Sequence, residues 1–458
     1  MIHTFETLGC YIALDVASGA VHVLDKLSYG VLEAMGAEQF CDDVEALAAR
    51  LPAYTREEVE ECWAELKELK EQGLLYQDET YIDPTWAVVK NTPIKALCLN
   101  VAHECNLRCK YCFASQGGYG TGRKLMSFET AKRAIDFVVE KSGSRRNIEV
   151  DFFGGEPMMA LDTCKKTVEY ARSIEEATGK HFRFTMTTNG MLLDEENIAY
   201  FNQEMKNCVL SLDGRKEVND HMRVQVDGSG SYDAIVPKFQ ALVADRGDKE
   251  YYVRGTYTRE NLDFAADVLH ITDDLGFRNV SVEPCVGKPG DPYAITEAEV
   301  PAACAEYEKL AAALVERPEV NFFHFNVDLS QGPCVIKRMR GCGAGNEYVA
   351  ITPEGDIYPC HQFVGDPDFK IGNLYEGTFD QEVAGRFAGV NIYTKEDCRN
   401  CWAKFYCSGG CSACNYNVNG DIMKPSKVAC ELERKRLECA IAIQAVRRGM
   451  AQAEAGAD

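Results

Sequence analysis

Cys105, Cys109 and Cys112 lie in one short segment, CNLRCKYC, at the spacing C-x3-C-x2-C. Thiolates are the usual ligands of iron–sulfur clusters, and a four-iron cubane normally takes four of them. Three on a single loop leave one iron free to bind a small molecule. The competing reading is zinc, whose structural sites close with four ligands, commonly from paired C-x2-4-C units. A lone three-cysteine loop with Tyr111 beside its last cysteine fits zinc poorly, so the cluster reading is preferred. A second crowd, Cys398, Cys401, Cys407, Cys411 and Cys414, brings together five of the chain's 21 cysteines. Cys10, Cys41, Cys62, Cys98, Cys164, Cys208, Cys285 and Cys304 show no ligand spacing and read as small buried hydrophobes.

Composition narrows the setting of this chemistry. The chain of 458 residues is 46% hydrophobic, enough for ordinary buried cores, and its length suggests about three domains. No run approaches the ~18 uninterrupted apolar residues of a membrane helix. The opening MIHTFETLGCYIALDV lacks a basic stretch followed by an apolar one. A cytoplasmic chain with no membrane partner is therefore expected, and in that compartment cysteine clusters bind metal more often than they form disulfides. The formal charge of −22, with acids spread along the chain, argues against nucleic acid as a partner and is compatible with a basic peptide.

The elements that must position these residues follow from periodicity and turn chemistry. Residues 1–85 read as a small α+β unit, with β-prone runs Tyr11–Asp15 and Val21–Leu24 around a Ser18-Gly19 turn and a further short strand at Leu74–Tyr76. Its helices are expected over Lys26–Met35, Val44–Leu51 and Arg56–Gln72, the last opened by Thr55 with Glu58 three residues on. Strands plus three short helices resemble a winged-helix module. Its acidity points away from DNA and toward peptide capture by strand addition.

Over residues 94–315, strands Ala96–Val101, Ile148–Phe153, Phe182–Thr187, Asn207–Leu212, Tyr251–Tyr257 and Val280–Pro284 alternate with helices Ser127–Lys141, Leu161–Thr178, Asp194–Phe201, Tyr232–Asp245, Asn261–Leu275 and Ala298–Val315. This predicts an α/β fold, a partial (β/α)6 TIM-like barrel with right-handed crossovers, whose chemistry sits at the strand C-termini. Residues 334–458 carry short strand-like pieces around Pro353–Asp356, many glycines and few apolar runs. That segment is expected to build little core and to depend on metal for its shape, before a helix over Ala429–Arg448 closes the chain.

The cysteine loop, with Tyr111 as its aromatic, resembles that of the radical S-adenosylmethionine (radical SAM) superfamily. The resemblance implies that the methionyl amino and carboxylate groups of S-adenosylmethionine chelate the open iron, and that one-electron reduction releases a 5′-deoxyadenosyl radical. Gly154-Gly155-Glu156-Pro157 resembles the family's GGEP motif, which implies close backbone approach at the glycines and Glu156 as partner of the methionyl ammonium. Thr187-Thr188-Asn189-Gly190 and Ser211-Leu212-Asp213-Gly214 resemble further cofactor-contacting segments. They imply Thr188, Asn189, Ser211 (toward the ribose) and Asp213 as contacts, while Arg223 resembles the arginine that pairs with the cofactor carboxylate.

Cys342, Gly355 and Cys360 fit C-x9-15-G-x4-C, and Cys398, Cys401, Cys407 and Cys411 fit C-x2-C-x5-C-x3-C ahead of Cys430. This resembles the SPASM domain, which implies two auxiliary [4Fe-4S] clusters and three in all. The resemblance assigns Cys398, Cys401, Cys407 and Cys430 to one of them and Cys342, Cys360 and Cys411 to the other. Cys334 or a substrate thiolate stands as the alternative fourth ligand of the latter. Cys414 and Cys439 fall outside the pattern.

A capture module, a radical barrel and a SPASM domain together resemble the maturases of SCIFF (ranthipeptide) precursors, carried here by MIHTFETLGCYIALDVASGAVHVLD, KRMRGCGAGNEYVAITPEGDIYPCHQFVG and CWAKFYCSGGC. That implies thioether formation between a cysteine sulfur and a carbon in a cysteine-rich precursor peptide bound by its leader. A one-electron reductant of flavodoxin or ferredoxin type would drive it. The alternatives are an anaerobic sulfatase-maturing enzyme, against which residues 1–85 count, and a non-catalytic electron carrier, which would not explain motifs on consecutive strand ends.

Overall fold

The computed structural model describes residues 1–80, 85, 92–285, 287–329 and 339–455. At the N-terminus, β1 (Ile2–Thr7), β2 (Cys10–Asp15) and β3 (Val21–Leu24) form an antiparallel sheet in that order. Leu8 and Gly9, at φ 54° and 74°, make the two-residue turn that pairs Thr7 with Cys10. β1 was not anticipated from the sequence. The strand expected at Leu74–Tyr76 is instead a bend: Leu74 N–H returns to Leu69 O at 2.9 Å, and Tyr76 takes φ 52°.

Helices α1 (Lys26–Met35), α2 (Val44–Arg50) and α3 (Arg56–Glu71) follow, capped by Asp25, Asp43 and a Thr55/Glu58 capping box. Alternation along β2 decides the packing. Ala13 faces the helices with Val31, Leu47, Val59 and Leu66. Ile12 and Leu14 face the other way, onto Ile441 and Ala442 of the C-terminal helix, Lys427–Ala455.

The central strands are β4 (Ala96–Ala102), β5 (Asn147–Gly154), β6 (His181–Thr188), β7 (Asn207–Ser211), β8 (Glu250–Tyr257) and β9 (Asn279–Pro284). They lie parallel and in sequence order, with a short β10 (Asn321–Phe322) beyond β9. Their period of two sorts the side chains. Phe152, Phe182, Phe184, Met186, Leu210 and Val253 are fully buried beneath the helices. The intervening positions, such as Thr185, Thr187, Ser211, Arg254 and Thr256, are left for the inside of the barrel. The helix expected over Asn261–Leu275 is shorter and irregular: an α-helix Phe264–Leu269 runs into a π-turn His270–Asp274. Asn261 is kept out of it because its side chain accepts the Thr258 N–H at 2.8 Å.

The cysteine-rich third corrects one expectation. β11 (Tyr348–Ile351) pairs in parallel with β4, aligning Tyr348 with Ala96, and β12 (Asp356–Tyr358), β13 (Gly372–Asn373) and β14 (Thr378–Phe379) continue antiparallel. The result is one 11-stranded sheet with β10 and β14 at its edges. Val349, Ile351, Ile357 and Ile371 belong to the main core of the molecule. This segment takes much of its shape from the barrel rather than from metal alone.

Candidate functional site

The loop after β4 carries Cys105, Cys109 and Cys112, and it is tied down by its own residues. Arg108 Nη1 donates to the carbonyls of Cys105 (2.6 Å) and Leu107 (2.7 Å). The N–H groups of Arg108 and Lys110 reach Val224 O (2.7 Å) and Met222 O (3.0 Å). The neighbouring loop after β5 approaches so closely that only glycine fits. A Cβ on Gly155 would stand 2.2 Å from Glu104 O, and one on Gly154, at φ 129°, would stand 2.3 Å from Ala102 O. Burial pushes the Cys105 thiol up to about 11 and that of Cys109 to about 12, with Arg223 opposing the rise at Cys109. Thiols so buried are inert unless a metal displaces their protons.

Glu156 is 1% exposed and accepts from Met158 N (3.1 Å), Thr188 Oγ1 (2.8 Å) and Asn189 N (2.7 Å). Burial lifts its carboxyl to about 7, and no cation is among the groups acting on it. Across the same cleft lies the buried guanidinium of Arg223. It pairs with Asp213 at 2.9 Å and packs over the Tyr111 ring at 5.6 Å, while its Nε has no partner among the described residues. A buried anion without a cation, facing a buried guanidinium with a spare N–H, is complementary to the ammonium and carboxylate of an amino acid. These residues therefore fit the methionyl end of S-adenosylmethionine, beside three thiols that fit a cluster.

The cleft encloses about 1280 Å³ of empty space, mouth included, and is lined by Cys105, Cys109, Cys112, Gly154, Gly155, Glu156, Pro157, Thr188, Asn189, Ser211 and Arg223. Asp213 is not on its wall. Fully buried, Asp213 accepts from Tyr111 Oη (2.9 and 2.7 Å) and Thr256 N (2.9 Å) and holds Arg223 from behind. The opposite wall was not singled out from the sequence: Arg254, Glu283, Cys285 and His361. Arg254 and Glu283 pair at 2.6 Å, and His361, held near 4 by burial, lies tilted against the Phe153 ring at 4.6 Å. The available signal was charged residues at inward positions near the ends of two correctly placed strands. A further groove lined by Tyr111, Phe113, Cys285, Gln362 and Tyr416 continues from this cleft.

Among the remaining cysteines, burial is the common influence. Burial raises Cys360, reinforced by Cys411 and Cys342. Burial raises Cys407 to about 11, reinforced by Cys430, Cys398 and Cys401. Cys414 lies near both sets, acted on by Cys411 and Cys430. Cys334 lies outside the described residues. Among the described residues no three His, Cys, Asp or Glu side chains gather around a point that would hold a single metal ion. A multi-iron cluster asks for thiols set around a wider body.

Two family models match the chain: that of the Radical SAM superfamily over residues 99–235, and that of SPASM, an iron–sulfur cluster-binding domain, over residues 342–402. The mycofactocin maturase MftC of Mycobacterium ulcerans is 28% identical over 334 residues, covering 70% of this chain and 84% of that one. A cysteine-type anaerobic sulfatase-maturating enzyme of Clostridium novyi is 24% identical over 335 residues, covering 67% and 85%. Among solved structures, Streptococcus suis SuiB bound to its precursor peptide SuiA matches with TM-score 0.54 at 16% identity, covering 93% of this chain and 98% of that one, a likeness of fold. The described residues contain no helix long and apolar enough to cross a membrane. With the cysteine loop, Glu156 behind its two glycines and the β11–β14 extension in place, residues 99–235 form a radical SAM domain and residues 342–402 a SPASM iron–sulfur cluster-binding domain.

Proposed function

We propose that the chain is a peptide maturase that installs thioether cross-links, cysteine sulfur to carbon, in a ribosomally made cysteine-rich precursor. The observation that carries the reading is the N-terminal sheet, built onto the radical SAM and SPASM body with β3 paired only to β2 among the described strands. An edge strand of this kind can take up an extended leader peptide by strand addition. The SuiB fold, solved with a precursor peptide, spans 93% of this chain, whereas the fold of anSMEcpe spans 78%. The proposed division is a recognition domain over 1–85, a radical SAM barrel over 94–315 and a SPASM domain over 334–458.

In this reading Cys105, Cys109 and Cys112 hold the first of three [4Fe-4S] clusters. Glu156, supported by Thr188 and Asn189, takes the cofactor's ammonium; Arg223, steadied by Asp213 and Tyr111, takes its carboxylate; Ser211 faces the ribose. Bound there and reduced by one electron, S-adenosylmethionine supplies the abstraction of a hydrogen atom from a C–H bond. Forming C–S from C–H and S–H removes two electrons and two protons. One electron and one proton leave as that hydrogen atom. The second proton leaves the thiol, and the second electron needs an acceptor beside the peptide. Cys342, Cys360 and Cys411 would hold that acceptor, with Cys334 or the substrate thiolate at its fourth position, and Cys398, Cys401, Cys407 and Cys430 would hold the other auxiliary cluster. A flavodoxin- or ferredoxin-type protein would supply the initiating electron.

The test is anaerobic turnover of the reconstituted chain with S-adenosylmethionine, a reductant and a coexpressed short cysteine-rich peptide. Loss of two hydrogens per cross-link, with the matching thiols blocked to alkylation, is the expected result. A second reading, favoured by the Clostridium novyi relative, is oxidation of a single Cys or Ser side chain. An aldehyde at one residue, without a cross-link, would establish that instead.

A further inference from the structure

Lys395 is 1% exposed, and its ammonium donates to one protein acceptor, Gly409 O, at 2.6 Å. Gly409 stands midway between Cys407 and Cys411, which fall in different auxiliary groups. From the other side, the backbone carbonyl of Lys395 accepts the Cys398 N–H at 3.1 Å. The aliphatic stem lies against Gly409, whose added Cβ would sit 3.6 Å from Lys395 Cδ and 3.7 Å from Nζ. Burial pushes the ammonium down, and the groups opposing that are the Cys398, Cys407, Cys411 and Cys430 sulfurs, with no carboxylate among them. Lys404, the other buried lysine nearby, differs in having Glu79 at 2.5 Å.

An ammonium taken out of water without an anion is strongly unfavourable, so a buried lysine keeps its charge only where negative charge is close. Among the described residues that negative charge comes from the cysteine groups, once they are deprotonated and ligating. A cluster held by thiolates carries net negative charge, and a fixed cation beside it favours the more negative, reduced state. Net charge and hydrogen bonding are the levers that set such potentials.

We propose that Lys395 is the shared buried counter-charge of the two auxiliary cysteine groups and holds the reduction potentials of both upward, poised to accept the electron released on C–S bond formation. The inference rests on the cluster reading above. Lys395 would act through the charge it sets beside the clusters, and is in that sense a positioning residue.

The test uses the full chain with Cys105, Cys109 and Cys112 replaced by Ala, so that only auxiliary iron remains, followed by EPR-monitored redox titration. In Lys395→Met both auxiliary midpoints should shift to lower potential, and in Lys395→Arg they should stay close to those of the parent. Unchanged midpoints in Lys395→Met, or movement of only one, would overturn the proposal. Should Lys395→Met lose auxiliary iron, recovery of iron in Lys395→Arg supports the charge role, and loss in both variants refutes it. A parent chain without auxiliary iron would remove the cluster reading itself, and the role of the lysine with it, a result distinct from iron that is present but indifferent to the lysine.

Discussion

At the scale of single residues, the site works by leaving selected charges incomplete inside a closely packed frame. Glu156 has three protein donors and no cation, so Glu156→Gln removes the charge while nearly keeping the shape. A hydrogen bond to a charged group contributes about 1.5–3 kcal/mol, so S-adenosylmethionine affinity should fall by roughly ten- to a hundredfold in equilibrium binding. Asp213 gives the complementary case. It does not line the cleft, yet Asp213→Asn leaves the Arg223 guanidinium buried without its anion. Breaking a buried pair from one side costs about 3–5 kcal/mol, and that loss should show in the denaturant midpoint as well as in cofactor binding. Gly155→Ala would force a methyl to within 2.2 Å of Glu104 O. Overpacking of this kind costs about 1–3 kcal/mol and should abolish 5′-deoxyadenosine formation by moving one catalytic loop off the other.

At the scale of elements, the sheet edges carry the argument. β3 has Val23 59% exposed and pairs, among the described strands, with β2 alone. Val23→Lys, a charge that discourages strand pairing on an edge, should change stability by no more than about 0.5 kcal/mol. If β3 is the leader's docking strand, affinity for a leader peptide measured by fluorescence anisotropy should fall at least tenfold; unaltered affinity would place the leader elsewhere. β11 is the opposite kind of element, a strand lent by the C-terminal third to the barrel sheet. Its pairing with β4 brings Cys360, two residues beyond β12, to the same end of the sheet as the cleft, where His361 forms part of the wall.

At the scale of the whole molecule, the N-terminal sheet, the barrel and the cysteine-rich third share buried surfaces rather than hanging on linkers. His3 stacks on Trp402 at 3.8 Å and bonds Glu438 at 3.1 Å, and Val16 packs with Met339, Ile392 and Phe405. Iron chelation should therefore leave most far-UV circular dichroism intact, with loss confined to the turns around Cys398–Cys430; general unfolding would show that metal, not the shared core, holds the third together. Ile351→Ala, by contrast, opens a cavity in the main core and should cost about 2–5 kcal/mol to the molecule as a whole.

Local order and chemistry were legible in the sequence because short-range signals determine them. The C-x3-C-x2-C loop, the Thr55/Glu58 capping box, helix Leu161–Thr178 and the alternating strands β4–β9 each depend on residues a few positions apart. β1 went unread because its strand character depends on the Leu8-Gly9 turn and on burial of Phe5 against a helix more than four hundred residues away. The placement of Asp213 behind Arg223, the Arg254–Glu283 wall and the burial of Lys395 were likewise undetermined. Each depends on which distant backbone closes over a side chain and excludes water from it. The three cysteines at 105, 109 and 112 announce the chemistry on their own; the buried anion and guanidinium beside them are decided when neighbouring barrel loops close over Glu156 and Arg223, and the His361 wall only when β11 joins β4.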